Sequence, residues 1–445
     1  MFSLAMRSIA TRPGRFLATL LSAFLGATII MAFHSMHDTA GARGIDSAST
    51  ATLGLVANVV GGYGALLVFF AVASTLTVNV RQRGTEIALL RSAGATPAQI
   101  TRMIVGESAV VALAGAVLAI GPAMLGGRAL LGVFQDTGQV ADEVAYVFGP
   151  IALGSGPAIT LVAATGAAFL AVRRATRALA GAAEPRGRGR NAAGAAALVA
   201  GTAGVGVTFT VEPTEPALMA APACGAILLA VGLALFAPVL LRAVLSALER
   251  PLSALTGASG YLTVHTMRHR AAQLSGVLMP LTLFTGIATA TLTMQALEND
   301  AIAASGLTRS VEDKNLETVN LVVVGIIVVF SCVTLINSLY AATSYRRREF
   351  GQQRLVGATP GQVLGMVGVE GLALTLTGVF FGMVAGLAGS VAFSLVRTDE
   401  VLPGQGPGIW LGVTAVAAAA TLVTSLGTAH RTLRTPAVEA MATAA

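Results

Sequence analysis

The stretch EIALLRSAGATPAQ, residues 86–99, lies between two long apolar segments, and a close copy of it occurs in the second half of the chain. The copy reads EFGQQRLVGATPGQ and occupies residues 349–362, so that each shared position recurs at a constant offset of 263 residues. A further glutamate recurs at the same offset, as Glu107 and Glu370. A gapless match of this kind indicates an internal duplication.

Each copy predicts a helix, a sharp turn and a second helix. The residues before Gly94 are mostly good helix formers, and Gly94 suits the left-handed position that ends a helix. Thr96 is predicted to cap the next helix, with Pro97 at its first position and Gln99 completing a capping box. The second copy repeats this arrangement with Gly357, Thr359, Pro360 and Gln362.

The composition predicts an all-α polytopic membrane protein. Hydrophobic residues make up 55% of the 445 residues, charged residues 11%, and the mean hydropathy is +0.77. Soluble domains carry about 25% charged residues, and a membrane-spanning helix needs about 20 apolar residues. The ten predicted spans are 16–36, 54–80, 103–127, 149–172, 193–211, 217–241, 274–296, 318–343, 363–394 and 407–429.

The distribution of charge predicts the topology. Most of the 28 basic residues lie in loops on the same side as the amino terminus, whereas most acidic residues lie in the opposite loops. Because cytoplasmic loops carry the excess of Arg and Lys, we expect a multi-pass protein of the bacterial inner or plasma membrane with both termini in the cytoplasm. We therefore interpret the net charge of +7 as a consequence of the membrane topology and not as evidence for nucleic-acid binding.

The duplication divides the chain into three segments. Residues 1–172 and 262–445 each form a repeat with four spans, and the second repeat ends in a short cytoplasmic tail. Residues 173–261 form a linker with two further spans and basic cytoplasmic stretches. An even number of spans separates equivalent positions, so the repeats are predicted to have the same orientation and a pseudo-two-fold axis along the membrane normal.

The repeated turns are candidate docking sites for a soluble partner. In the first copy the candidate residues are Glu86, Arg91, Gly94, Thr96 and Pro97. Their equivalents in the second copy are Glu349, Arg354, Gly357, Thr359 and Pro360. The simpler interpretation is a tight turn between neighbouring spans. Two copies related by a two-fold axis suit a partner that is itself a symmetric dimer.

Glu107 and Glu370 are the acidic residues that we place inside predicted spans. An intramembrane carboxylate indicates a functional site by default, here proton coupling or substrate contact. The structural interpretation is an ion pair with a nearby arginine, for which Arg102 is one candidate. A stripe formed by Gly378, Gly382 and Gly386 on the ninth span predicts close helix packing.

The motif Glu-x4-Arg-x2-Gly-Ala-Thr-Pro-x-Gln, followed by a glutamate that opens a glycine-rich span, resembles the FtsX-like or MacB-type permeases of ABC transporters. Both copies carry it, at residues 81–127 and 344–394. The resemblance implies that a separate cytoplasmic ATPase dimer docks on the turns around 81–102 and 344–362. The number of spans resembles the antimicrobial-peptide-resistance type, but the large extracellular domain of those permeases is missing here.

The expected function is the membrane subunit of an ABC transporter that exports a hydrophobic or amphiphilic compound. The chain contains no Gly-x4-Gly-Lys-Ser/Thr motif, so ATP and Mg²⁺ are expected on the partner ATPase. We therefore expect a non-enzymatic subunit with no cofactor or metal site of its own. The alternatives are a mechanical signalling protein driven by ATP and, from another class, an ion-coupled secondary transporter that uses Glu107 and Glu370.

Overall fold

A computed structural model describes residues 17–179, 188–212, 216–256, 258–305, 346–401 and 406–436, together with positions 321, 325, 332, 335, 336, 339 and 343. Within these ranges the chain consists of helices and connecting turns, with no strand. Seven of the described helices are long and apolar enough to cross a membrane. The predicted all-α polytopic membrane fold is confirmed.

Twelve α-helices lie within the described residues. They are α1 (Leu17–Ala40), α2 (Ser47–Gln82), α3 (Gly84–Ser92), α4 (Pro97–Asp136), α5 (Pro150–Leu179), α6 (Arg188–Val207), α7 (Ala220–Leu235), α8 (Ala237–Thr256), α9 (Ala258–Ser305), α10 (Arg347–Leu355), α11 (Pro360–Thr398) and α12 (Gly408–Leu433). Two short 3₁₀ helices, Thr208–Thr210 and Pro216–Met219, lie between α6 and α7.

The first compact unit contains α1–α5, and α1 packs against α2, α4 and α5. Small residues make this possible: Ala23 and Ala27 are fully buried, and a Cβ on Gly115 would lie 3.0 Å from the backbone nitrogen of Phe24. Where lipid removes most of the hydrophobic driving force between helices, such close backbone approach stabilises their association. The carboxylate of Asp38 also accepts hydrogen bonds from two backbone N–H groups at the start of α5.

The second compact unit contains α6–α12, and α9 packs against α7, α8, α11 and α12. The glycine stripe of α11 lies against α9. Thr285 Oγ1 donates to the carbonyl of Gly378 at 3.1 Å, and a Cβ on Gly386 would lie 2.7 Å from the Gly286 carbonyl oxygen. The predicted close packing of this stripe is confirmed. The two spans of the 173–261 linker belong to the same compact unit as α9–α12 of the second repeat.

Seven predicted spans coincide with the seven apolar helices, namely 16–36, 103–127, 149–172, 193–211, 274–296, 363–394 and 407–429. The span at 54–80 lies within α2, and most of the span at 318–343 lies outside the described residues. The span at 217–241 needs correction, because the chain bends by 72° between α7 and α8. Pro238 explains the break, since a proline ring collides with the carbonyl four residues earlier.

Candidate functional site

The two copies of the motif form two helical hairpins with the same local geometry. We call residues 83–107 the first hairpin and residues 346–370 the second hairpin. Each contains a nine-residue helix, α3 or α10, and a sharp turn that leads into the next long helix, α4 or α11. The first hairpin therefore connects α2 to α4, and the second hairpin follows the predicted span at 318–343 and leads into α11.

The predicted glycine turns are confirmed. Gly94 and Gly357 have positive φ angles of 90° and 105°, which L side chains rarely adopt. The backbone N–H of Ala95 donates to the carbonyl of Leu90, and the N–H of Ala358 donates in the same way to Gln353. These bonds, which run from the third residue after the helix back into its last turn, are typical of a Schellman motif.

The predicted capping boxes are also confirmed. In the first hairpin the Gln99 N–H donates to Thr96 Oγ1 at 3.3 Å, and the Thr96 N–H donates to Gln99 Oε1 at 2.9 Å. Thr359 and Gln362 make the same two bonds at the same distances. Each box satisfies two backbone donors at the start of a helix.

An arginine at the start of each hairpin binds two glutamates. In the first hairpin Arg83 donates from Nε to Glu86 Oε2 at 3.2 Å and from Nη1 to Glu107. Arg83 lies between α2 and α3, Glu86 lies on α3, and Glu107 lies on α4. Arg83 and Glu107 are both buried. We call these three residues the first ionic cluster, and it links three consecutive helices.

The second ionic cluster consists of Arg346, Glu349 and Glu370. Arg346 donates to Glu349 at 2.9 and 3.0 Å and to Glu370 through Nη1. Arg270 of α9 adds a second cation, 3.1 Å from Glu349. The guanidinium of Arg346 also lies 5.0 Å from the centre of the Phe350 ring, a cation–π contact. The second cluster thus connects α10 to both α9 and α11.

The structure corrects the arginine partner suggested for Glu107. Arg102 is exposed, because a separation of five residues places it about 140° from Glu107 around the helix. The ion pair is formed instead with Arg83, and Glu370 pairs with Arg346. Arg83 and Arg346 were missed as site residues, although they recur at the same offset of 263 residues and this regularity could have identified them.

Both glutamates assigned to docking face their own hairpin arginine. The side chains of Glu86 and Glu349 are partly exposed and ion-paired with Arg83 and Arg346, respectively. Burial raises the pKa of Glu349, but the hydrogen bond and charge of Arg346, together with the charge of Arg270, outweigh it, and the pKa is lowered overall. Glu349 is therefore ionised at neutral pH and holds the cluster together.

The exposed surface of the hairpins is largely apolar and uncharged. Leu89 on α3 is 70% exposed, and Leu355 and Val356 at the end of α10 are 57% and 91% exposed. The capping residues Thr96, Pro97, Thr359 and Pro360 are exposed as well. Leu89, Leu355 and Val356 lie between predicted spans, so these side chains offer a contact surface outside the predicted membrane segments.

The two motif arginines are partly buried. Arg354 donates from Nη1 to the carbonyls of Leu433 and Thr435, at 3.1 and 2.9 Å, at the end of α12. This bond satisfies carbonyl groups that have no partner within the helix. Arg91 occupies the equivalent place in the last turn of α3. Among the described residues, no group of three or more His, Cys, Asp or Glu side chains could hold a metal ion.

Comparison with protein families identifies the hairpins and their flanking helices. The family described as FtsX-like permease C-terminal matches residues 58–179 and again residues 321–437, together more than half of the chain. Each match begins in the second helix of a repeat and contains one complete hairpin. A comparison with curated proteins found no match.

Proposed function

Because the chain belongs to the FtsX-like permease family, we propose that it is the membrane subunit of an ABC transporter that works with a separate cytoplasmic ATPase dimer. The partner binds ATP and Mg²⁺, and this chain changes the arrangement of its membrane helices in response. The substrate class is a hydrophobic or amphiphilic compound that is exported from the bilayer. The sequence has no long segment between spans for a large external domain, so the helices themselves provide the substrate path.

The observation that carries this proposal is the pair of ionic clusters. Each cluster joins a short helix outside the membrane to a buried carboxylate of a long apolar helix. An ion pair that is shielded from water is held in place, because separating its charges leaves one of them buried without a partner. A force applied to α3 or α10 would therefore act on the membrane helices through the side chains as well as through the backbone.

The exposed apolar side chains supply the contact with the ATPase. Leu89, Leu355 and Val356 lie on the short helices or directly after them, where a groove of a soluble protein can enclose them. Enclosing apolar side chains in such a groove removes their surface from water, which favours association. The glutamates stabilise the shape of the hairpins in this proposal, and the apolar residues bind the partner.

Proton coupling through Glu107 and Glu370 is less favoured by these contacts. Each carboxylate is engaged by a buried arginine of its own hairpin, so its side chain already has a structural role that holds the short helix to the long one. A mechanical signalling protein would use the same hairpins and the same ATPase. It differs from a transporter in the outcome of ATP hydrolysis, which is movement of an external partner instead of a substrate.

The experiment is co-purification of this chain with an ABC-type ATPase encoded beside it. We expect Leu89→Asp and Val356→Asp to reduce recovery of the ATPase at least about tenfold, because a charge would have to be buried without a partner. Val401→Asp is the matched control, since Val401 is also exposed but lies on the predicted external side. The proposal fails if native chain retains no ATPase, or if both hairpin variants retain as much as the control.

A further inference from the structure

Two histidines on the first four turns of α9 face one another across one helical turn. His265 and His269 are four residues apart, which places both on the same side of the helix. Both side chains are exposed, and their Nε2 atoms are 3.3 Å apart. This part of α9 precedes the apolar segment that begins at Leu274, so the pair lies outside the predicted membrane span.

The separation of the two nitrogens matches the geometry of a metal chelate. Two nitrogens bound to one tetrahedral Zn²⁺ at about 2.05 Å lie about 3.3 Å apart. The rings meet edge to face, at 73° with their centres 4.7 Å apart, and Tyr261 stacks on His265 from the preceding turn. Both nitrogens can therefore reach one ion without rebuilding the helix, and neutral imidazole is a preferred ligand of divalent zinc, copper and nickel.

The positive charges next to His265 and His269 are partly neutralised, which favours binding of a divalent cation. The two neighbouring arginines, Arg268 and Arg270, are paired with carboxylates, Arg268 with Glu249 at 2.8 Å and Arg270 with Glu349 at 3.1 Å. Each pairing reduces the repulsion that a free guanidinium would exert on a bound cation. The other described histidine pair, His34 and His37 of α1, differs because its members bond to Ser155 and Asn58.

We propose that His265 and His269 form a two-histidine binding site for a divalent transition metal ion of the Zn²⁺ class. The remaining coordination positions of the ion face solvent and are open to water. This site departs from the expectation from the sequence, in which no metal site was assigned. It does not depend on the transport function, because it requires only the helix and the two side chains.

The test is a Zn²⁺ titration of the full chain, purified in detergent with an affinity tag that contains no histidine and monitored by competition with a fluorescent zinc chelator. We expect one Zn²⁺ per native chain, and a loss of affinity of at least about tenfold in His265→Ala and in His269→Ala. Because both side chains are exposed, neither variant should disturb folding, which size-exclusion chromatography and circular dichroism would verify.

Two controls distinguish the site from other histidines. His430→Ala removes a single exposed histidine of α12, and His37→Ala disrupts the other histidine pair. Both controls should bind Zn²⁺ as the native chain does. The proposal is overturned if the native chain binds no Zn²⁺, which would mean that the two nitrogens share only a proton. It is equally overturned if His265→Ala and His269→Ala bind like the native chain, or if His37→Ala abolishes binding.

Discussion

Replacing Arg83 by methionine would test whether the first ionic cluster holds the hairpin to the membrane helices. Methionine keeps an unbranched, flexible side chain but leaves Glu107, which is 1% exposed, without its cation. Removing one partner of a buried ion pair costs about 3–5 kcal/mol, because the remaining charge stays desolvated. Glu86 also loses its partner, but it is partly exposed, and such a loss costs only about 0–1 kcal/mol.

The double variant Arg83→Met with Glu107→Leu distinguishes the stability lost with the ion pair from the stability lost with packing contacts. Replacing both members of a buried pair by apolar residues is often neutral or stabilising, so we expect the double variant to lie within about 1 kcal/mol of the native chain. The single variant Glu107→Leu should cost less than Arg83→Met, since Arg83 retains Glu86. These variants form a double-mutant cycle, and the interaction energy between Arg83 and Glu107 should therefore be about 3 kcal/mol or more.

The assay is the free energy of unfolding, measured by titration with a denaturing detergent in mixed micelles for the native chain and the three variants. Arg346→Met provides an internal comparison from the second repeat. Glu370 is 11% exposed, so water can reach it more easily than it reaches Glu107. The loss of stability in Arg346→Met should therefore lie near the lower end of the range of about 3–5 kcal/mol. Additive effects of Arg83→Met and Glu107→Leu would refute the inference that the two residues act as a unit.

Two further predictions concern the second unit. Gly386→Ala should destabilise the packing of α11 on α9 by about 1–3 kcal/mol, because a Cβ would lie 2.7 Å from the Gly286 carbonyl oxygen, whereas Gly365→Ala, with open space around it, should be neutral in the same detergent titration. The folded-state pKa of Glu349 is lowered from 4.5, so its stabilising effect is complete above pH 4.5 and is lost as the pH falls through the folded pKa. The stability difference between native chain and Glu349→Gln should therefore shrink below pH 4.5, and a difference that is constant from pH 7 to pH 4 would contradict this assignment.

The hairpin backbone could be predicted from the sequence because its determinants are local. Gly94 and Gly357 mark the positive φ angle, and Thr96 and Thr359 each precede a proline and a glutamine at the spacing of a capping box. These interactions involve residues within five positions of one another. Their geometry therefore follows from residue type and spacing alone.

The partners of the buried glutamates could not be predicted in the same way. Glu107 lies 24 residues from Arg83, and the contact between them depends on how α2, α3 and α4 pack. Arg102 is nearer in sequence, but it lies on another side of the helix. The bend between α7 and α8 was missed for a different reason, since hydropathy alone does not register that Pro238 interrupts a continuous apolar segment.

In the second hairpin, charged side chains connect the nine-residue helix α10 and its flanking residues to three long helices. Glu349 of α10 binds Arg270 of α9, the adjacent Arg346 binds Glu370 of α11, and Arg354 binds the last carbonyls of α12. Three long helices are thus joined to one short helix by charged side chains, in addition to the backbone connection to α11. A displacement of α10 that keeps these bonds must move the ends of all three helices together. A displacement that breaks them leaves buried charges unpaired, which is the more costly course.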